Sequence, residues 1–219
     1  MQTKSSNVLQ LLFFMLPVLY ACNSNIAASK QDGLPYYCSA EFTPQWLDSR
    51  TADTAYRIPA FSFTDQEGKT ITRTQLDGKI TVVNFFFTAC PGICKKLTTN
   101  MAVVQTAFSK DEQVVLLSHS VTPEHDSVPV LQQYAASHGV VAGKWHLLTG
   151  PQTVIYKMAR SGYFADEDLG MQQDSTSFLH TEHILLIDKQ HHIRGIYKGT
   201  IPAEIGNLVA DIRKLETEK

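Results

Sequence analysis

The chain has 219 residues, 43% hydrophobic and 18% charged, which suits one globular domain with an appendage and excludes two large domains. Its 19 Lys+Arg against 21 Asp+Glu give a net charge of −2, and no basic run exceeds Lys95-Lys96, so the electrostatic footprint of a nucleic-acid binder is missing. The apolar fraction excludes a disordered chain, and four cysteines are too few for a disulfide-stapled scaffold, so cysteine has a local chemical purpose here.

Residues 1–21 begin with a polar stretch containing Lys4 and continue as an apolar run from Val8 to Ala21, interrupted only by Gln10 and Pro17. That run is too short to cross ~30 Å of hydrocarbon as a helix, and it reads as a secretory signal peptide. Ala21 directly before Cys22 resembles the end of a bacterial lipobox. The expectation is lipidation at Cys22 and a lipoprotein of the cell envelope, anchored to the membrane and facing the periplasm. Residues 22–57 then form a tether and an aromatic-rich arm. Asn23 to Gly33 is small and polar, whereas Tyr36, Tyr37, Phe42 and Trp46, with Pro35 and Pro44 among them, predict an extended segment packed on the domain. Residues 58–219 are the domain itself.

Within it, Ala60–Thr64 and Lys69–Thr72 alternate around the turn residues Asp65 to Gly68, predicting a β-hairpin. The β-branched and aromatic run Ile80–Phe87 predicts a strand buried on both faces. After Cys90-Pro91, the spacing of Leu97, Met101, Val104 and Phe108 predicts a helix. Val114–Ser118 predicts a second buried strand, Val128 to Ala136 a helix, Trp145–Thr149 a strand and Pro151–Arg160 a helix. Gly162 to Ser177 carries no regular pattern. Ile184–Ile187 and Ile193–Tyr197 form a hairpin across Lys189 to His192, and Ala203–Leu215 closes the chain as an amphipathic helix. Such an order gives an α/β fold with a central mixed sheet flanked by helices and an N-terminal β-hairpin. A cysteine pair at the passage from the first long strand to a helix narrows this to the thioredoxin-like fold.

Cys90-Pro91-Gly92-Ile93-Cys94 places two thiols four residues apart at a helix amino end. Unpaired N–H groups there favour the thiolate, Lys95 and Lys96 add positive charge, and Pro91 suits the first helical position. Such a pair closes a disulfide or offers two soft ligands to Cu(I). The segments Phe85 to Cys94, Ser120 to Pro129 and His180-Thr181 before Asp188 together resemble the Sco/SenC family of copper chaperones. The likeness covers residues 58 to 215 and implies copper held by Cys90, Cys94 and His180. It also implies a partner, the cytochrome c oxidase subunit carrying the CuA site. Where the family has acids or proline, this chain has Gly92, Lys95, Thr122 and Leu179.

His180 is the metal ligand by registration with the family, counted back from Asp188, and His183, at the start of the next strand, is its rival. His191 and His192 are expected in a solvated turn. His119, His125, His138 and His146 are expected to have surface or hydrogen-bonding roles, and Cys38 to be a small buried hydrophobe. A second reading uses Cys90 and Cys94 as the redox pair of a thiol-disulfide oxidoreductase. Against it stand three residues between the cysteines, where the reductases have two, and the lack of a proline from Thr176 to Ile187.

Overall fold

The computed structural model describes residues 33–165 and 181–218. Cys22 and the expected signal segment, like Leu179 and His180, lie outside the described residues.

The elements follow the predicted order. Two short strands, β1 (Tyr36–Tyr37) and β2 (Pro44–Gln45), and one turn of helix, α1 (Ser49–Ala52), precede the hairpin of β3 (Ser62–Thr64) and β4 (Thr70–Thr72). Then come β5 (Ile80–Phe86), α2 (Ile93–Ala107), β6 (Val114–Ser120), α3 (Val128–His138), β7 (Trp145–Leu148) and α4 (Gln152–Lys157). Last are β8 (His183–Ile187), β9 (Ile193–Lys198) and α5 (Pro202–Thr217). One mixed sheet runs β2-β1-β9-β8-β5-β6-β7, with β5, β6 and β7 parallel and β8 antiparallel to both β5 and β9. This is the expected thioredoxin-like core, and the β3–β4 hairpin is a separate two-stranded sheet bridged to it through Thr64 and Thr149.

β5 is buried along its whole length because both faces of the sheet are covered. Side chains alternate between those faces. Val82, Leu116 and Leu186 meet Met101 and Val104 of α2, Leu131 of α3, and Leu208 and Ile212 of α5. Val83, Leu117 and Leu185 meet Phe63 and Ile71 of the hairpin and Ile155 of α4 on the other side. β6 extends two residues past its predicted end, since Phe85 and Phe86 continue to pair with His119 and Ser120. The Ser118 hydroxyl on it is satisfied: Oγ donates to Asn84 Oδ1 (2.5 Å) and accepts from Trp145 Nε1 (2.8 Å). α4 also departs from expectation, widening after Lys157 into a π turn at Met158–Gly162.

Four expectations are corrected. The arm does not merely lie on the domain: Tyr37 pairs with Ile193, so β1 and β2 extend the sheet at its edge. His191 and His192 are buried, because Asp77 Oδ1 bonds His191 Nε2 (2.7 Å) and the Tyr56 carbonyl bonds His192 Nδ1 (2.8 Å). His119 is fully buried among Phe61, Phe63, Phe85 and Tyr163, with neither ring nitrogen hydrogen-bonded. Cys38 is partly exposed rather than buried, since it lies just past the two-residue strand β1, where the chain leaves the sheet.

Arg194 on β9 organises the edge where the arm joins. It is buried, forms ion pairs with Asp188 (3.0 Å) and Glu218 (2.9 Å), donates to the carbonyls of Leu34 and Pro35, and lies 4.0 Å over the Tyr36 ring. Glu218 also accepts from the Leu34 N–H, so the arm and the end of α5 are fastened to one guanidinium.

Candidate metal and redox site

Parallel β5 and β6 end side by side, and the Val121 N–H donates to the Phe86 carbonyl (2.9 Å), closing the two strand ends together. From β5 the chain turns through Thr88 to Gly92 and enters α2. Pro91 is therefore not the first helical residue as expected: it and Gly92 form the turn, and the helix starts at Ile93. Cys94 sits in the first helical turn and Cys90 in the loop before it. Gly92 provides no side-chain cap, so the N–H groups at the start of α2 are left to the cysteine sulfurs.

The two sulfurs are hydrogen-bonded to each other, and their environments differ. Burial pushes the Cys90 thiol up, but the hydrogen bond from Cys94 and the N–H groups of Gly92 and Cys94 outweigh it, leaving this thiol more acidic than usual. Burial pushes the Cys94 thiol up to about 12, and its bond to Cys90 adds to the effect. Hydrogen bonds at the helix start, rather than the exposed Lys95 and Lys96, thus hold the Cys90 thiolate. Both sulfurs border a pocket of about 310 Å³ walled by Phe86, Phe87, Pro91, Val121 and Thr181. The walls are apolar, which strengthens the electrostatic interactions inside.

Among the described residues, no group of three or more His, Cys, Asp and Glu side chains is assembled to hold a metal. Thr181, on the pocket wall, is the residue after His180. His183 begins β8 as predicted. Its ring meets Phe42 edge-on at 5.8 Å, its N–H donates to Thr181 Oγ1 (3.1 Å), and among the described residues it is not part of the pocket wall.

Sequence reasoning gave no role to Asp126, although it stands within the second motif. This carboxylate is fully buried and accepts hydrogen bonds from Thr88, Ser120 and Thr122. The available signal was the run Ser120-Val121-Thr122 four to six residues before an acid, directly after a buried strand.

The SCO1/SenC family model matches residues 49–216. Three solved structures are similar to the chain, each at 26% identity. A SCO1/SenC family lipoprotein from Bacillus anthracis superposes with a TM-score of 0.64, covering 74% of this chain and 95% of its own. BsSco, a member of the Sco family of cytochrome c oxidase assembly proteins with an identified disulfide switch, gives 0.63, covering 75% and 95%. Bradyrhizobium japonicum ScoI with copper bound gives 0.57, covering 73% and 99%. The family match spans the whole passage from α1 to α5, including both cysteines, and on that extent the chain belongs to the SCO1/SenC family.

Proposed function

We propose that this chain binds copper through Cys90, Cys94 and His180 and takes part in cytochrome c oxidase assembly, passing the metal to the subunit that carries the CuA site. The observation that carries the reading is the contact between two thiols at an uncapped helix start, facing an apolar pocket. Two thiolates are the soft donors that select Cu(I), and imidazole completes a set that serves either oxidation state. The position of Thr181 on the pocket wall supports His180 over His183 as the third ligand. Copper bound to the Bradyrhizobium relative supports the metal, and the assembly role of BsSco supports the partner.

Copper titration of the reduced chain tests this. One ion is expected per chain, with tight binding lost in Cys90→Ser and in Cys94→Ser. His180→Ala is expected to lose the thiolate-to-Cu(II) absorption and His183→Ala to keep it. Retained stoichiometric binding in either cysteine variant overturns the reading.

A second reading, thiol-disulfide exchange with partner cysteines, draws on the difference between the two thiols. Cys90 is the accessible, more acidic nucleophile, and buried Cys94 is placed to resolve a mixed disulfide. Full reduction of an oxidised partner peptide by a copper-free chain, lost in Cys90→Ser, would favour it.

A further inference from the structure

The loop that carries Cys90 is held from below by one carboxylate. Asp126 is completely buried. Its Oδ1 accepts from Thr88 Oγ1 (2.5 Å), and its Oδ2 accepts from Ser120 Oγ (2.5 Å), Thr122 Oγ1 (3.1 Å) and the Thr88 N–H (3.3 Å). Its own N–H donates to the Thr122 carbonyl (2.9 Å), a tight turn that aims the side chain back at the strand ends. Two of the four bonds come from the cysteine loop, one from Ser120 at the end of β6 and one from Thr122 just beyond it. The backbone bond from Cys90 N–H to the Phe87 carbonyl is long (3.4 Å). The side-chain clamp ties Thr88, two residues before Cys90, to the sheet through two bonds, one of them short. A buried carboxylate left without donors is costly, as are buried hydroxyls left without their acceptor, so the clamp and the loop conformation stand or fall together.

We infer that Asp126 is a positioning residue: through Thr88 it holds the Cys90 loop in the arrangement in which both thiols are reduced and face one atom. This deepens the copper reading, but only the metal arm of its test rests on that reading. Side chains that orient a metal ligand from behind set affinity without touching the metal. A clamp present in the dithiol form also stabilises that form relative to the disulfide.

The test uses the full-length chain in detergent as wild type, Asp126→Asn, Thr88→Val and Thr88→Ser, with thermal melts to establish that each is folded. The proteins are equilibrated with glutathione buffers, and the Cys90–Cys94 state is read by mass after acid quench. In this exchange the two cysteine thiols lose two electrons and two protons to form their S–S bond, and one glutathione disulfide is cleaved to two glutathione thiols. Asp126→Asn and Thr88→Val are expected to move the equilibrium toward the protein disulfide by roughly fivefold or more, and Thr88→Ser, which keeps the hydroxyl, to match wild type. Cu(I) affinity is expected to fall about tenfold in the same two variants. An unchanged equilibrium in folded variants, or a move toward the dithiol, overturns the proposal. Should Asp126→Asn fail to fold, the contrast between Thr88→Val and Thr88→Ser decides it. If wild type binds no copper, the copper reading falls and the glutathione equilibrium alone decides the clamp.

Discussion

The two thiols differ in access and in acidity, and both differences arise from where the helix begins. Cys90 lies in the turn, partly exposed, while Cys94 lies one helical step inside and is 5% exposed. Limiting iodoacetamide near neutral pH is accordingly expected to alkylate Cys90 well before Cys94, which peptide mass mapping would show; equal labelling would contradict the asymmetry. His119 presents a different case. Burial among four aromatic rings pushes its pKa down to about 3, so the folded protein excludes a proton that the unfolded chain takes up. Stability is thus lost as pH falls from the unfolded value near 6.5 toward 3. His119→Phe removes two unpaired ring nitrogens and is expected to add about 1 kcal/mol at neutral pH. Urea unfolding at two pH values checks this, the gain being larger under acid conditions than at neutrality. The cysteine motif was legible because its residues are adjacent in the chain. The burial of His119 was not, since it depends on a hairpin and a π turn brought over β6 from elsewhere.

Among the elements, β5, β6, α2 and α5 could be read because their apolar spacing matches one conformation only. The edge of the sheet could not. β1 and β2 are two residues each, too short for any period, and their place depends on Arg194. That residue also helps explain why the two histidines of the hairpin turn are buried: Asp188 accepts from the N–H groups of Gln190 and His192 while paired with Arg194, drawing that side of the turn inward. Removing one partner of a buried ion pair leaves the other uncompensated, so Arg194→Met is expected to destabilise the domain by about 3 kcal/mol. It should also free the arm. Limited proteolysis would then cut between residues 34 and 47 in the variant while wild type resists, and equal resistance would show that the arm is held by its strand pairing alone.

At the scale of the molecule, the domain and the amino-terminal apolar run answer to different physics. The first packs a core on both faces of a sheet, and the second is a short apolar run ending at Cys22, whose lipidation remains a proposal supported by a lipoprotein relative. Among the described residues, no helix is long and apolar enough to cross a membrane. Cys22→Ala is expected to release the protein from the membrane fraction or to block its processing, as fractionation with immunoblotting would reveal; unchanged sedimentation would sink the anchor.

The Arg194 fastening then bears on orientation. Ile187, next to Asp188, pairs with Thr81 near the start of β5, whereas the cysteines follow the end of β5. Leu34 therefore joins the domain at the pole opposite the pocket, ~20 Å away along the strand. The point where the chain enters the domain and the cysteine loop thus occupy opposite ends of the sheet, so a partner can approach the thiols without meeting the arm.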